Sequence, residues 1–377
     1  MIILKREKDK LRFTDLQISC FSVIESRVEE FMIMITGYDN TIPFEGQVDN
    51  IITSFNEFMT KKKNAICVFR RFFLSDPANQ YNYLISKINK EGEGAVSVIG
   101  QPPLNGSKVV LWAYVQTGVE VAIDDRRLFG VRNGVHTHLW TGNTFTHADS
   151  PEKEMRILFD DYRKILSQHK CSLDPNCIRT WLFVQNIDVN YKDVVKARND
   201  VFAEVGLTSD NHFISSTGIQ GCNACPDVTV QMDAYSVTNI DKDQVRYLYA
   251  PKFLNRTSEY GVSFERGTSI TYDDRQHVFI SGTASIDNKG NIVYKGDVEA
   301  QAERVVLNVQ ALLHEAGCSL TDITQMIVYL RDMNDYETVS MIYNERLGNI
   351  PKVFLLAPVC RPGWLVEMEC IAMKSKL

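Results

Sequence analysis

One order of elements is written three times along this 377-residue chain. In the last third, a buried strand at 278–284 leads through a turn at 287–291, where Asn and Gly supply left-handed backbone, to an amphipathic helix at 298–316. Ala302, Val305, Val306, Val309, Leu312 and Leu313 recur there at helical spacing, and Gly317 is a natural stop. A β-branched strand at 323–330, a helix at 334–347 and closing strands at 353–356 and 365–372 follow. The middle third repeats the order with strand 138–142, helix 151–168, strand 178–184, helix 191–205 and strand 228–237. The first third gives strand 31–37, helix 47–62, strand 65–74, helix 79–89 and strand 109–115. The junction Cys171-Ser172-Leu173 recurs as Cys318-Ser319-Leu320 between helix and strand. Such self-similarity outweighs any single motif, because each copy must bury its face against the others.

Copies of about 126 residues are long enough for small α+β units with their own cores. The expected divisions are 1–127, 128–250 and 251–377, with polar joints at 124–127 and 241–255. The closing strands differ in one respect. The third reads Val366-Glu367-Met368-Glu369, the second Val230-Gln231-Met232-Asp233 and the first Val109-Val110-Leu111-Trp112. Only the last copy keeps an acid at the second position of this run. Three modules packed as an intrachain pseudo-trimer would therefore hold one working site.

A net charge of −6 without a basic stripe argues against a nucleic-acid partner. Lys61-Lys62-Lys63 reads as a solvated helix terminus. No apolar run approaches ~20 residues, so no membrane span is expected. The start turns charged too early for a secretory signal, and nine scattered cysteines suit a reducing compartment, so a cytoplasmic location is expected.

The residues Phe279-Ile280-Ser281-Gly282-Thr283, Gly296-Asp297, Gln301, Asn308, Val328-Tyr329-Leu330-Arg331-Asp332-Met333 and Val366-Glu367-Met368-Glu369-Cys370 give the last third a resemblance to the Rid/YjgF superfamily. That resemblance implies chorismate-mutase-like modules, each a mixed sheet with two helices on one face, and clefts between neighbours. From about residue 175 onward, Arg179-Thr180-Trp181, Tyr191, Arg198-Asn199, Phe202, Ser215-Ser216-Thr217-Gly218, Tyr260-Gly261, Phe264-Glu265-Arg266 and Val359-Cys360-Arg361-Pro362 resemble the chorismatase branch. It implies release of pyruvate from chorismate, giving a hydroxybenzoate or a dihydroxycyclohexadiene acid, with no cofactor and no metal. The partner is then a small anionic metabolite, and the chain is a monomer or self-associates further. Two rival readings are a Rid-type imine hydrolase and a non-catalytic small-molecule binder. Amine-releasing Rid proteins carry an arginine on the strand before the last, where this chain has Pro351-Lys352-Val353.

Glu367 and Glu369 share one face of a strand. Partial desolvation at a module seam would favour the protonated form of Glu367, which could then act as a general acid. Arg361 and Arg266 are candidate carboxylate clamps, since planar guanidinium groups grip carboxylates bidentately. The resemblance adds Arg179 as a further clamp and makes Cys360 the group that steers the ring product, if nearby positive charge yields thiolate. Ser216, Thr217 and Gly218 are expected to form a polar turn that holds a carboxylate, while Tyr260 and Tyr249 could bond a substrate hydroxyl. Cys222-Asn223-Ala224-Cys225 and His136-Thr137-His138 each lack the further ligands a metal needs. No glycine-rich phosphate loop is present.

Overall fold

The computed structural model describes residues 2–11, 13–88, 94–125 and 127–376; the helix end expected at Asn89 and the joint at Arg126 lie outside them. The first module runs β1 (Ile2–Leu11), β2 (Thr14–Val23), β3 (Glu29–Gly37), α1 (Phe44–Lys61), β4 (Ile66–Leu74), α2 (Pro77–Ile88), β5 (Ala95–Gly100) and β6 (Val109–Thr117). The second runs β7 (Glu120–Asp125), β8 (Leu128–Asn133), β9 (His136–Phe145), α3 (Pro151–Gln168), a short helical turn α4 (Leu173–Asn176), β10 (Cys177–Val184), α5 (Ile187–Glu204), β11 (Ser215–Gln220) and β12 (Val230–Val237). The third runs β13 (Val245–Leu248), β14 (Gly267–Thr271), β15 (Arg275–Ala284), α6 (Val298–Glu315), β16 (Ile323–Leu330), α7 (Tyr336–Leu347), β17 (Lys352–Leu356) and β18 (Val366–Ser375).

The three six-stranded sheets share one topology: β1-β2-β3-β6-β4-β5, β7-β8-β9-β12-β10-β11 and β13-β14-β15-β18-β16-β17. The closing strand of each module lies inside its sheet, antiparallel to both neighbours. One sheet face is covered by two packed helices and the other by the neighbouring modules. This double coverage buries nearly every residue of the closing strands, both the continuous apolar run of β6 and the alternating polar groups of β12 and β18. The helices start where the chain supplies caps. Ser150 accepts a bond from the Lys153 amide ahead of Pro151, and Asp297 accepts one from Ala300.

The leading hairpins β1–β2, β7–β8 and β13–β14 were not foreseen, because their polar alternation resembles solvated loop sequence. Residues 120–125 pair into the second sheet and 245–248 into the third. Each of these sheets therefore begins upstream of the division expected at 127/128 or 250/251.

The modules close into a ring. The loop before each closing strand bridges the outer strand of the preceding module in the ring, through Gly100↔Cys222, Ile219↔Val359 and Pro103↔Leu355. These bridges cover β5, β11 and β17, which would otherwise present open backbone edges. Along the central axis Phe69, Trp112, Trp140 and Trp181 interlock. Arg71 lies among them, its guanidinium 4.7 Å from the Trp181 ring and 5.0 Å from that of Trp112. It donates to Asp233 of the second module at 2.8 Å, and both side chains are fully buried.

The registers place Glu30, His138 and His277 at equivalent positions of the three modules. Arg275 donates to Glu30 Oε1 at 2.6 Å, and His277 Nε2 lies 2.9 Å from the same oxygen. Tyr114 donates to the other Glu30 oxygen. Burial opposes ionisation of Glu30, but His277 and Arg275 together hold its carboxyl well below the usual range. Burial, reinforced by His277, pushes His138 down to about 3, leaving a neutral imidazole within 2.7 Å of the Tyr235 hydroxyl. The histidine pair of the sequence thus serves the axis. Among the described residues no cluster suited to a metal ion occurs.

Removing one partner of a buried ion pair strands the other charge. Asp233→Ala is expected to cost roughly 3–5 kcal/mol in urea unfolding, and the double change Arg71→Met with Asp233→Leu markedly less. A single variant as stable as the wild type would contradict this account of the axis.

Candidate active site at the seam of the second and third modules

A cleft of about 230 Å³ opens where β11 and α5 of the second module face the third. That is small beside the ~300–1,000 Å³ of drug-sized sites and suits a one-ring metabolite. The second module contributes Tyr191, Lys192, Ser216, Thr217 and Gly218. The third contributes Tyr260, Phe264, Arg266, Gly282, Cys360, Arg361, Trp364 and Glu367.

Period-two alternation does place Glu367 and Glu369 on one face of β18, and the seam then separates their roles. Glu369 accepts from Arg179 Nη2 and from Trp181 Nε1, both at 2.8 Å. Arg179 also donates to Ser281 Oγ at 3.1 Å and to Thr217 Oγ1. Glu367 lies in the cleft and is 5% exposed. Burial and the neighbouring Glu369 push its carboxyl up to about 8, although Arg266 and Arg179 pull the other way. Its head rests on the backbone of Gly282, where an added Cβ would come within 2.2 Å of Oε1. A glycine in a strand that allows such close approach is a legible signal of a site, and sequence reasoning did not use it.

Two arginines share one ring opposite this acid. The Arg361 guanidinium is 4.5 Å from the Tyr260 ring and 5.2 Å from that of Trp364. Arg266 lies 5.5 Å from Tyr260 and donates from Nη2 to Asn255 Oδ1 at 3.1 Å. Burial raises the Tyr260 phenol, so it stays protonated beside them.

Glu367, Cys360, Arg361, Arg266, Tyr260, Ser216, Thr217 and Gly218 are thus brought together as the sequence suggested. Arg179 lies outside the lining and holds Glu369 and the seam. The segment at Ser216 is no turn. It is strand β11, parallel to β10, with Thr217 opposite Trp181. Thr217 Oγ1 accepts from Arg179 and from the Gly282 amide, and the Ser216 amide donates to Ser281 Oγ, so these groups cross-link the seam. Burial and Glu367 push the Cys360 thiol up to about 12 despite adjacent Arg361, so the expected thiolate is corrected to a neutral thiol. Tyr249 lies away from the cleft under Arg256 at 4.7 Å. Lys352 donates to Gly348 O and faces Arg6 and Lys8, so it cannot replace an arginine beside Glu367. Tyr191, Lys192 and Trp364 went unassigned, since nothing local to their sequence marks the seam.

The equivalent seams carry other groups. Between the first two modules, Gln231 takes the place of Glu367 and donates to Val98 O at 3.1 Å, while Asn143, the counterpart of Gly282, donates to the Tyr81 hydroxyl at 3.5 Å. Between the third and first, Val110 replaces the acid.

The family model described as Endoribonuclease L-PSP matches residues 269–374. A RutC family protein of Pyrococcus abyssi is 37% identical over 100 residues, which are 26% of this chain and 79% of that protein. A RutC family protein of Pyrococcus horikoshii matches with the same identity and coverage. A crystal structure of a chorismatase has a similar fold, with a TM-score of 0.64 and 17% identity, over 81% of this chain and 93% of that one.

The Glu367 proton has a signature in stability. Between about 4.5 and about 8 the folded chain keeps a proton that the unfolded chain has released. For a carboxyl raised by folding, stability falls as pH rises through this window and levels above it. Urea midpoints measured from about pH 5 to about pH 9 are expected to fall more steeply for the wild type than for Glu367→Gln. Parallel curves would refute a protonated Glu367.

Proposed function

Since the chain belongs to the Rid/YjgF superfamily and its open seam sets a buried carboxylic acid against two arginines, we propose that it is a cofactor-independent enzyme releasing pyruvate from chorismate. One observation carries the reading: Glu367 is kept neutral at physiological pH within a cleft whose other wall is cationic. Arg266 and Arg361 suit the two carboxylates of a compact dianion, and Tyr260 orients both guanidinium groups.

Glu367 protonates the methylene end of the enol ether, making the ether carbon electrophilic. Addition of water there gives a hemiketal that collapses to pyruvate and a dihydroxycyclohexadiene acid. Elimination from the ring instead gives pyruvate and a hydroxybenzoate with no water consumed. Cys360, as a neutral thiol beside the acid, is a polarizable wall that steers the ring between these outcomes. A Rid-type imine hydrolysis has less support, because the cation that the seam would need from Lys352 points elsewhere.

Incubating the protein with chorismate and assaying pyruvate tests this reading; silence from the wild type overturns it. Glu367→Gln is expected to lower kcat roughly 10²–10⁴-fold, the range for loss of a general acid. The rate of the wild type is expected to fall as pH rises through about 8, because the acid form is the active one. Gly282→Ala, which drives a methyl group into the Glu367 carboxyl, is expected to reduce turnover without unfolding the chain, checked by circular dichroism.

A further inference from the structure

The third-module wall of the cleft includes a short excursion between Asn255 and Arg266. It makes a 3-10 turn over Thr257–Tyr260, and Gly261 follows in left-handed backbone at φ 82°. Tyr260, Val262 and Phe264 of this segment line the cleft. Its base is closed on itself, for Thr257 Oγ1 donates to Phe264 O at 2.5 Å and Arg266 to Asn255. Its turns are internal too, with Gly261 N bonded to Ser258 O and Val262 N to Thr257 O.

Among the described residues, 256–264 form hydrogen bonds with the second module through one side chain of α5, while directly after them Glu265 accepts from the Phe213 amide at 2.9 Å and donates its own amide to Ile214 O at 3.1 Å. Asn199 Nδ2 donates to Gly261 O at 3.2 Å, and its Oδ1 accepts from Ser263 Oγ. The adjacent Arg198 is 1% exposed and lies under the same segment, 6.0 Å from the Phe264 ring. Its Nε and Nη2 have no hydrogen-bond partner among the described residues. The Arg198 guanidinium is buried beneath the segment, and lifting the segment would expose it to solvent. A loop closed on itself, anchored at its end by Glu265 and held along its length by one polar latch, belongs at the low end of local stability.

We propose that residues 256–264 form a hinged roof over the cleft, that Asn199 latches it, and that Asn199 is thereby a positioning residue for the arginines that share Tyr260. The roof closes because a dianion held by Arg266 and Arg361 favours the position of Tyr260 that both guanidinium groups require. The closing role rests on the proposed activity; the latch itself does not.

Hydrogen exchange by mass spectrometry on the free, full-length protein decides the latch. In Asn199→Ala, and independently in Ser263→Ala, amides of 257–264 are expected to exchange roughly five- to tenfold faster, the loss of one or two hydrogen bonds, while α5 and β14 keep wild-type rates. Unchanged exchange in both variants, or acceleration spread over the whole chain, overturns the proposal. With chorismate as substrate, Asn199→Ala is expected to raise KM more than it lowers kcat, and Asn199→Asp, which retains the acceptor for Ser263, to fall between. A silent wild type would remove the chorismate reading and leave the exchange result to judge the roof. A fall in kcat with unchanged KM would show that Asn199 does not position the binding groups.

Discussion

The Arg179–Glu369 pair, completed by the Trp181 indole, is the contact on which the site depends. It fixes β18 of the third module against β10 of the second. It also occupies the guanidinium nearest the seam, leaving Glu367 two residues along without a cation in direct contact. Glu369 contributes its own charge, which adds to the effect of burial on Glu367. Two glutamates on one strand face thus divide into a structural anion and a neutral acid by surroundings alone. A buried ion pair adds little net stability, yet its loss is expensive. Its value here is geometric, in holding a proton donor against Gly282.

What could be read from the sequence followed the range of the forces involved. Helical spacing at Ala302, Val305, Val306 and Val309 gave α6, and period two gave the shared face of Glu367 and Glu369. Arg361, Arg266 and Cys360 are near Glu367 along the chain or carried a family resemblance, and they do line the cleft. The misreadings concern groups whose partners come from another module. Arg179 looked like a ligand clamp because its partner is 190 residues away. Ser216 and Thr217 looked like a turn because their small polar side chains gave no sign that β11 pairs beside β10 and binds across to β15. The role of Cys360 came from the resemblance on condition that nearby positive charge yields thiolate, whereas burial and Glu367 raise the thiol despite Arg361.

Three copies in one chain need not share a fate. At the first seam Gln231 and Asn143 convert the cleft into hydrogen bonds with Val98 and Tyr81. At the seam of the third and first modules, apolar Val110 stands where the acid would be. The seam of the second and third modules, where the cleft lies, has glycine at 282 and at 218. A Cβ at Gly218 would approach the Tyr191 ring to 2.8 Å, so this pair of glycines also fixes where the tyrosine stands.

The axial cluster has a consequence for the history of such a chain. Around a true threefold axis every copy must tolerate its own image. Here one module brings Glu30, another the neutral His138 and the third Arg275 with His277, and the sites fit only as a mixed set. Three copies of the third module alone would crowd three arginines around one line with no Glu30 to meet them. Joining the modules in one chain therefore lets each bring its own residue to this line, a mixture that identical free subunits could not supply.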